Sequence, residues 1–301
     1  MKTQLYLAFV SMLLLSAACS SSQQEGSNSN YADEIRQWHQ ERIESLKKED
    51  SWLNLIGLFW LREGSNSLGA DNSNDIILPK EKAAPALGTL TLENGKVRFK
   101  TAPAATVTAD GVRVTDSLIF SEDQKKPVVL AYGSLRWFII KRGNRYGVRL
   151  RDLEHPAVKS FSGVPTYEID SRWRIHAKMK PAPDTHKIAI TDILGQTSYQ
   201  PCPGTLVFEW QGKSYRLDAV ESGDKLFIPF GDETNKQHTY AAGRFLYADK
   251  PDSTGYTILD FNKAINPPCA FTEFATCPLP PPQNRLALAV KAGEKRYKKE
   301  R

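Results

Sequence analysis

Between Phe230 and Leu286 the chain gathers the side chains best suited to chemistry: Asp232, Glu233, Thr234, Arg244, Asp260, Asn262, Asn266 and Glu273. Asp232 or Glu233 with Asp260 would form a carboxylate pair, one raised in pKa as a general acid and one ionised as a base. Arg244 would hold an anionic or carbonyl oxygen, and Asn262 or Asn266 would donate to developing charge. The same groups also suit a binder, in which Trp60, Tyr240 and Phe271 offer stacking faces and Thr234, Arg244, Asp260, Asn262 and Asn266 orient a polar ligand. They suit a scaffold as well. Arg244 and Asp260, on neighbouring predicted strands, would pair as ions, while Asp232, Thr234, Asn262 and Asn266 cap turns.

Six prolines between Pro267 and Pro282 stiffen the backbone under these groups. Cys269 and Cys277 are the near pair among the three cysteines that remain once Cys19 is set apart, and their bridge would pin this segment. A thiol nucleophile at Cys269 would need His238 as its base, and bridging is the stronger expectation in an exported protein. Cys202, Cys269, Cys277 and His238 have no recognised zinc spacing, so neither a metal nor a cofactor is expected. GxSxG, HExxH and phosphate-loop patterns are absent from the sequence.

The start of the chain reads as an address. Lys2, the apolar run Leu5–Leu15 and the small residues Ser16-Ala17-Ala18 before Cys19 follow the pattern of a bacterial export signal over residues 1–18. Small residues directly before Cys also resemble a lipobox, which implies acylation of Cys19 and a lipid-anchored place in the bacterial cell envelope. Residues 19–30 read as a flexible tether. The net charge of +6 shrinks to about +1 for the body once Lys2 and the tail 291–301, with six basic and two acidic residues, are set aside. That is no footprint for nucleic acid. Membrane lipid through Cys19 and a small molecule or glycan are the partners expected.

The elements that must position the candidates are mostly strands. Residues 31–50 form an amphipathic helix, with Tyr31, Ile35, Trp38, Ile43 and Leu46 within about 140° of the wheel. The apolar stretch Ser51–Arg62 is a buried strand or turn. From Gly88 the period is two, with hairpins at Asn94-Gly95, Asp110-Gly111 and Gly143-Asn144 and a further connection at Gln211-Gly212-Lys213. The fold class expected is mainly β, sandwich or barrel-like antiparallel sheets with one N-terminal helix, in a first β unit at 51–160 and a second at 161–297. Arg142, Arg145, Arg149 and Arg151 fall on a turn and on alternate strand positions. Either an anion site or a solvated outer face fits that alternation, and the solvated face is the expectation.

Gly231-Asp232-x-Thr234, Thr239-Tyr240-x-x-Gly243-Arg244-Phe245-Leu246, Leu259-Asp260-Phe261-Asn262 through Phe271, and Thr276-Cys277-Pro278-Leu279-Pro280-Pro281 resemble the hallmark of a bacterial family, domain of unknown function 1684. Trp52–Leu61 is similar to its opening segment. The resemblance covers roughly residues 50–296 and implies one unit of settled length. It assigns no chemistry.

Overall fold

The computed structural model describes residues 18–298. The expected leader lies, but for Ala18, outside the described residues, as does the Cys19 side chain. Helix α1 spans Ala18–Lys47, so it begins earlier than the sequence predicts and takes in the stretch expected as a tether. No helix among the described residues is long and apolar enough to cross a membrane.

Eleven strands follow before residue 153. They are β1 (Leu55–Trp60), β2 (Gly64–Gly69), β3 (Ile76–Ile77), β4 (Gly88–Glu93), β5 (Lys96–Thr101), β6 (Val107–Ala109), β7 (Val112–Val114), β8 (Asp116–Phe120), β9 (Leu130–Tyr132), β10 (Leu135–Arg142) and β11 (Arg145–Asp152). The apolar stretch at Ser51–Arg62 therefore supplies β1. One sheet runs β1-β11-β10-β9-β6-β7 and a second β3-β2-β4-β5-β8. Their inner faces share one core, in which Leu90, Val97 and Phe99 meet Leu130, Trp137, Ile139 and Val148. Phe99 and Trp137 cross it edge to face at 5.9 Å. The hairpins close where the sequence allows positive φ. Asn94 and Gly95 sit at +50° and +74° between Glu93 and Lys96, a two-residue turn whose twist matches that of the strands.

A short helix, α2 (Pro156–Ser160), interrupts the expected connection, with His155 Nδ1 accepting from Ala157 N at 3.3 Å. Its proline occupies the first turn, where no N–H is needed. Then come β12 (Arg174–Pro181), β13 (Lys187–Thr191), β14 (Thr197–Pro201), β15 (Gly204–Trp210), β16 (Lys213–Ser222), β17 (Lys225–Phe230), β18 (Arg244–Asp249) and β19 (Tyr256–Asp260). The order β18-β17-β16-β15-β12-β19 makes a nearly closed, barrel-like sheet around Leu206, Phe208, Leu217, Ile228, Phe230, Leu246, Leu259 and Phe261. The fold is thus mostly β, with several antiparallel sheets and one N-terminal helix.

Residues 286–292 run into this core through Leu286, Val290 and Ala292. One expectation fails in part: of the β11 arginines Arg145 is exposed, but Arg149 and Arg151 do not lie on a solvated face, being 6% and 7% exposed. That face is covered by Trp52 and by the loop from Cys269 to Cys277, which the expected disulfide closes.

Candidate functional site

The sequence-predicted residues do not meet in one cleft. They divide into separate polar clusters, and the first is sealed. Gly243, at φ +108°, brings its Cα so close to Phe230 O that a Cβ would stand 2.6 Å from it, and this approach aims Arg244 inward. Arg244 Nη2 donates to Asp232 Oδ1 at 3.3 Å and to Val290 O at 2.8 Å, while Nη1 donates to Ala292 O at 2.5 Å and Glu294 O at 3.4 Å. Asp232 Oδ2 accepts from Thr234 Oγ1 at 2.7 Å and from Val290 N at 2.9 Å. Neither charged side chain is exposed, and burial pulls the Arg244 guanidinium down from its ordinary range. The carboxylate opposite Arg244 is therefore Asp232 rather than the predicted Asp260. Asp232 and Arg244 clamp the segment 290–294, and Thr234 holds the Asp232 carboxylate in place.

The second cluster is also closed. Asn266 is fully buried, its N–H donating to Glu294 Oε2 at 2.6 Å and its Nδ2 to Lys295 O at 2.8 Å. Arg42 of α1 reaches Glu294 Oε1 at 3.3 Å. Burial pushes the Glu294 carboxyl up against the pull of Arg42.

The third cluster borders a cleft. Asp260 ends β19 and caps the 3-10 turn Phe261–Lys263, accepting from Asn262 N at 3.2 Å. Tyr31 of α1 donates to Asp260 Oδ1 at 2.8 Å and accepts from Asn262 Nδ2 at 3.0 Å. Asn262 Nδ2 also donates to Asp170 O at 2.9 Å. Burial raises Asp260 above the usual carboxylate range, with the Tyr31 hydrogen bond opposing it, and burial raises the Tyr31 phenol. The remaining candidates lie elsewhere. Tyr240 packs on Leu46, Leu53, Phe161 and Phe271, and Trp60 lies under the Arg145 guanidinium at 4.0 Å.

Tyr31 and Asp170 line a cleft of about 910 Å³, built by α1, the segment 167–173, the turn after β15 and residues 288–295. Its apolar wall is Trp173 stacked on Trp210, ring centroids 3.9 Å apart and planes 16° from parallel. Trp173 is held edge-on by Phe261 at 5.9 Å, so the pair is anchored in the barrel core. The polar wall carries Glu168, Gln211, Lys291 and the Asp170–Arg172 fork, with Nε to Oδ1 at 3.0 Å and Nη2 to Oδ2 at 2.7 Å. Rigid aromatic faces beside hydrogen-bonding groups of both signs can stack and orient a polar ligand. Sequence reasoning passed over Trp173, Trp210, Asp170 and Arg172. The signal was modest: a tryptophan just before β12, another at the end of β15, and an Asp-x-Arg turn. Among the described residues no group of three or more His, Cys, Asp or Glu is placed to hold a metal ion.

Residues 159–295 match the family described as Protein of unknown function (DUF1684). Over that stretch the chain belongs to this family. The DUF1684 segment contains all three polar clusters except the α1 contributions Tyr31 and Arg42, and it contains both tryptophans of the cleft. Trp52–Leu61, expected as a family segment, lies outside the match. A solution structure of an uncharacterized protein from Haloarcula marismortui is 31% identical, over 46% of this chain and 80% of that one, with a TM-score of 0.39. An FHA domain studied for phosphothreonine-dependent interactions and the FhaA FHA domain in complex with an intracellular domain are each 14% identical over 31% of the chain. They are covered to 92% and 97% of their own lengths, both with TM-scores of 0.22. No curated protein matches the sequence.

Proposed function

We propose that the protein is a bacterial envelope lipoprotein, anchored through an acylated Cys19, that binds a small polar ligand of the glycan type in the Trp173–Trp210 cleft. The anchor and address rest on the small residues before Cys19. The binding reading rests above all on the stacked indole pair lining a cleft whose other wall is polar. A sugar ring has one apolar face and a rim of hydroxyls, and this cleft offers a surface for each. The pocket first expected within residues 231–284 is replaced by this one, because Asp232, Arg244 and Asn266 are closed off. A hydrolytic role through paired Asp232 and Asp260 gains no support from that burial, since Asp232 has no route to substrate.

Tryptophan fluorescence titrated with a panel of soluble oligosaccharides tests the reading. At least one should shift the emission saturably, and Trp210→Ala should weaken it by about tenfold, the loss of one aromatic face being worth about 1–1.5 kcal/mol. No saturable response from any sugar, or an unchanged affinity in Trp210→Ala, overturns it.

A further inference from the structure

Arg149 presents a physical problem that the fold does not solve. It is 6% exposed, and its Nε has no hydrogen-bond partner. Its Nη2 reaches Thr276 Oγ1 at 3.4 Å, and its guanidinium lies 5.3 Å from the Trp52 ring. Neither contact supplies negative charge. The charges that act on it are Arg142 and Arg151, both of its own sign, and together with burial they pull it down to about 10. Among the described residues no ion pair joins Arg142, Arg149 or Arg151 to a carboxylate. A buried cation without a counter-charge is costly, and folds ordinarily pair it or leave it in water.

The neighbourhood shows where a counter-charge would sit. Thr276 Oγ1 accepts from Arg142 Nε at 3.0 Å as well as from Arg149 Nη2. The Thr276 hydroxyl thus receives two guanidinium donors, and no acceptor for its own proton is found among the described residues. Arg142 and Thr276 both line a cavity of about 420 Å³ between the β10–β11 turn and the β13–β14 hairpin. Gly143, Gln196, Thr197, Ser198 and Gln200 also line it. Its two carboxylates are occupied locally: Asp192 Oδ1 accepts from Leu194 N and Gln196 N, each at 2.9 Å, and Glu221 accepts from Lys250 at 3.5 Å.

We propose that this cavity is an oxyanion site, taking a phosphate or sulfate group against the cavity side of the hydrogen-bonded Arg142 and Thr276, with Arg149 behind them as the buried countercharge. Guanidinium forks match the spacing of two oxygens on such a group, and a charge-assisted hydrogen bond in a partly desolvated site is about twice as strong as a neutral one. The site is distinct from the tryptophan cleft, with which it shares no lining residue. Its occupant is either a free inorganic anion or a phosphate carried on an organic body, since both present the same oxygens.

Thermal unfolding of the full chain at matched ionic strength, in chloride, sulfate, phosphate and glucose 6-phosphate, tests it. Sulfate or phosphate should raise Tm over chloride by about 3 °C at tenfold excess over Kd. Arg149→Met, of similar volume and uncharged, should abolish the rise, and so should Arg142→Ala at the half-buried end of β10, where the fold is under less risk. A rise with inorganic anions alone supports the free-ion form, and a larger rise with glucose 6-phosphate supports the carried one. Equal Tm in all four salts, or an undiminished rise in Arg142→Ala, overturns the proposal.

Discussion

The Arg244 guanidinium and the Asp232 carboxylate meet at 3.3 Å with neither side chain reachable by solvent. The pair is the knot that ties β17 and β18 to the segment 290–294, because each partner also binds that segment's backbone. Breaking a buried pair from one side leaves the other charge stranded. Arg244→Ala should therefore lower unfolding free energy by about 3–5 kcal/mol in urea titration. A loss below about 1 kcal/mol would mean that the clamp is dispensable.

Glu294 should give stability a distinctive pH dependence. Its carboxyl is raised above an ordinary value of 4.5 by burial. The folded protein then keeps a proton that the unfolded chain has already released. Stability is full below the ordinary value and falls as pH rises through the window up to the folded value. Wild type should lose more stability than Glu294→Gln as pH is raised across that window. Parallel curves for the two proteins, measured by urea titration at each pH, would remove Glu294 as the cause.

Tyr31 joins α1 to the rim of the cleft through Asp260 and Asn262. Tyr31→Phe should cost about 1 kcal/mol of stability, the usual net worth of one such bond. It should also speed amide exchange in α1, read by hydrogen exchange, while exchange in β4 and β5 stays as it was. Uniform change across the chain would contradict a local docking role.

The Cys269–Cys277 bridge closes a short loop, with Cα atoms 6.1 Å apart. Chain-entropy arguments give it about 2–3 kcal/mol. Reduction, or Cys269→Ser with Cys277→Ser, should lower Tm by about 4–8 °C, monitored by calorimetry. The same change should loosen Thr276 and weaken any oxyanion effect at Arg142.

Much of the strand framework was legible because two-residue hairpin loops announce themselves: Asn94-Gly95 and Asp110-Gly111 each need two positive φ angles, and few residue pairs tolerate that. The near cysteine pair was legible for a similar reason, being local. The partner of Arg244 was not. Carboxylates occur both twelve residues before it and sixteen after, and nothing local favours one. The carbonyls to which its two Nη atoms donate carry no side-chain signature at all. The burial of Arg149 was hidden for a further reason. Alternation along β11 says that Arg149 and Val148 face opposite ways, but it cannot say that a distant loop will cover the outer side. The tryptophan cleft needs α1, 167–173 and 288–295 to converge, and periodicity within any one of them is silent about the others.

Because Val290, Ala292 and Glu294 supply the carbonyls that accept from the Nη atoms of Arg244, the barrel cannot be completed by a growing chain until those residues have left the ribosome. Up to that moment a guanidinium and a carboxylate wait, hydrated, inside an unclosed shell.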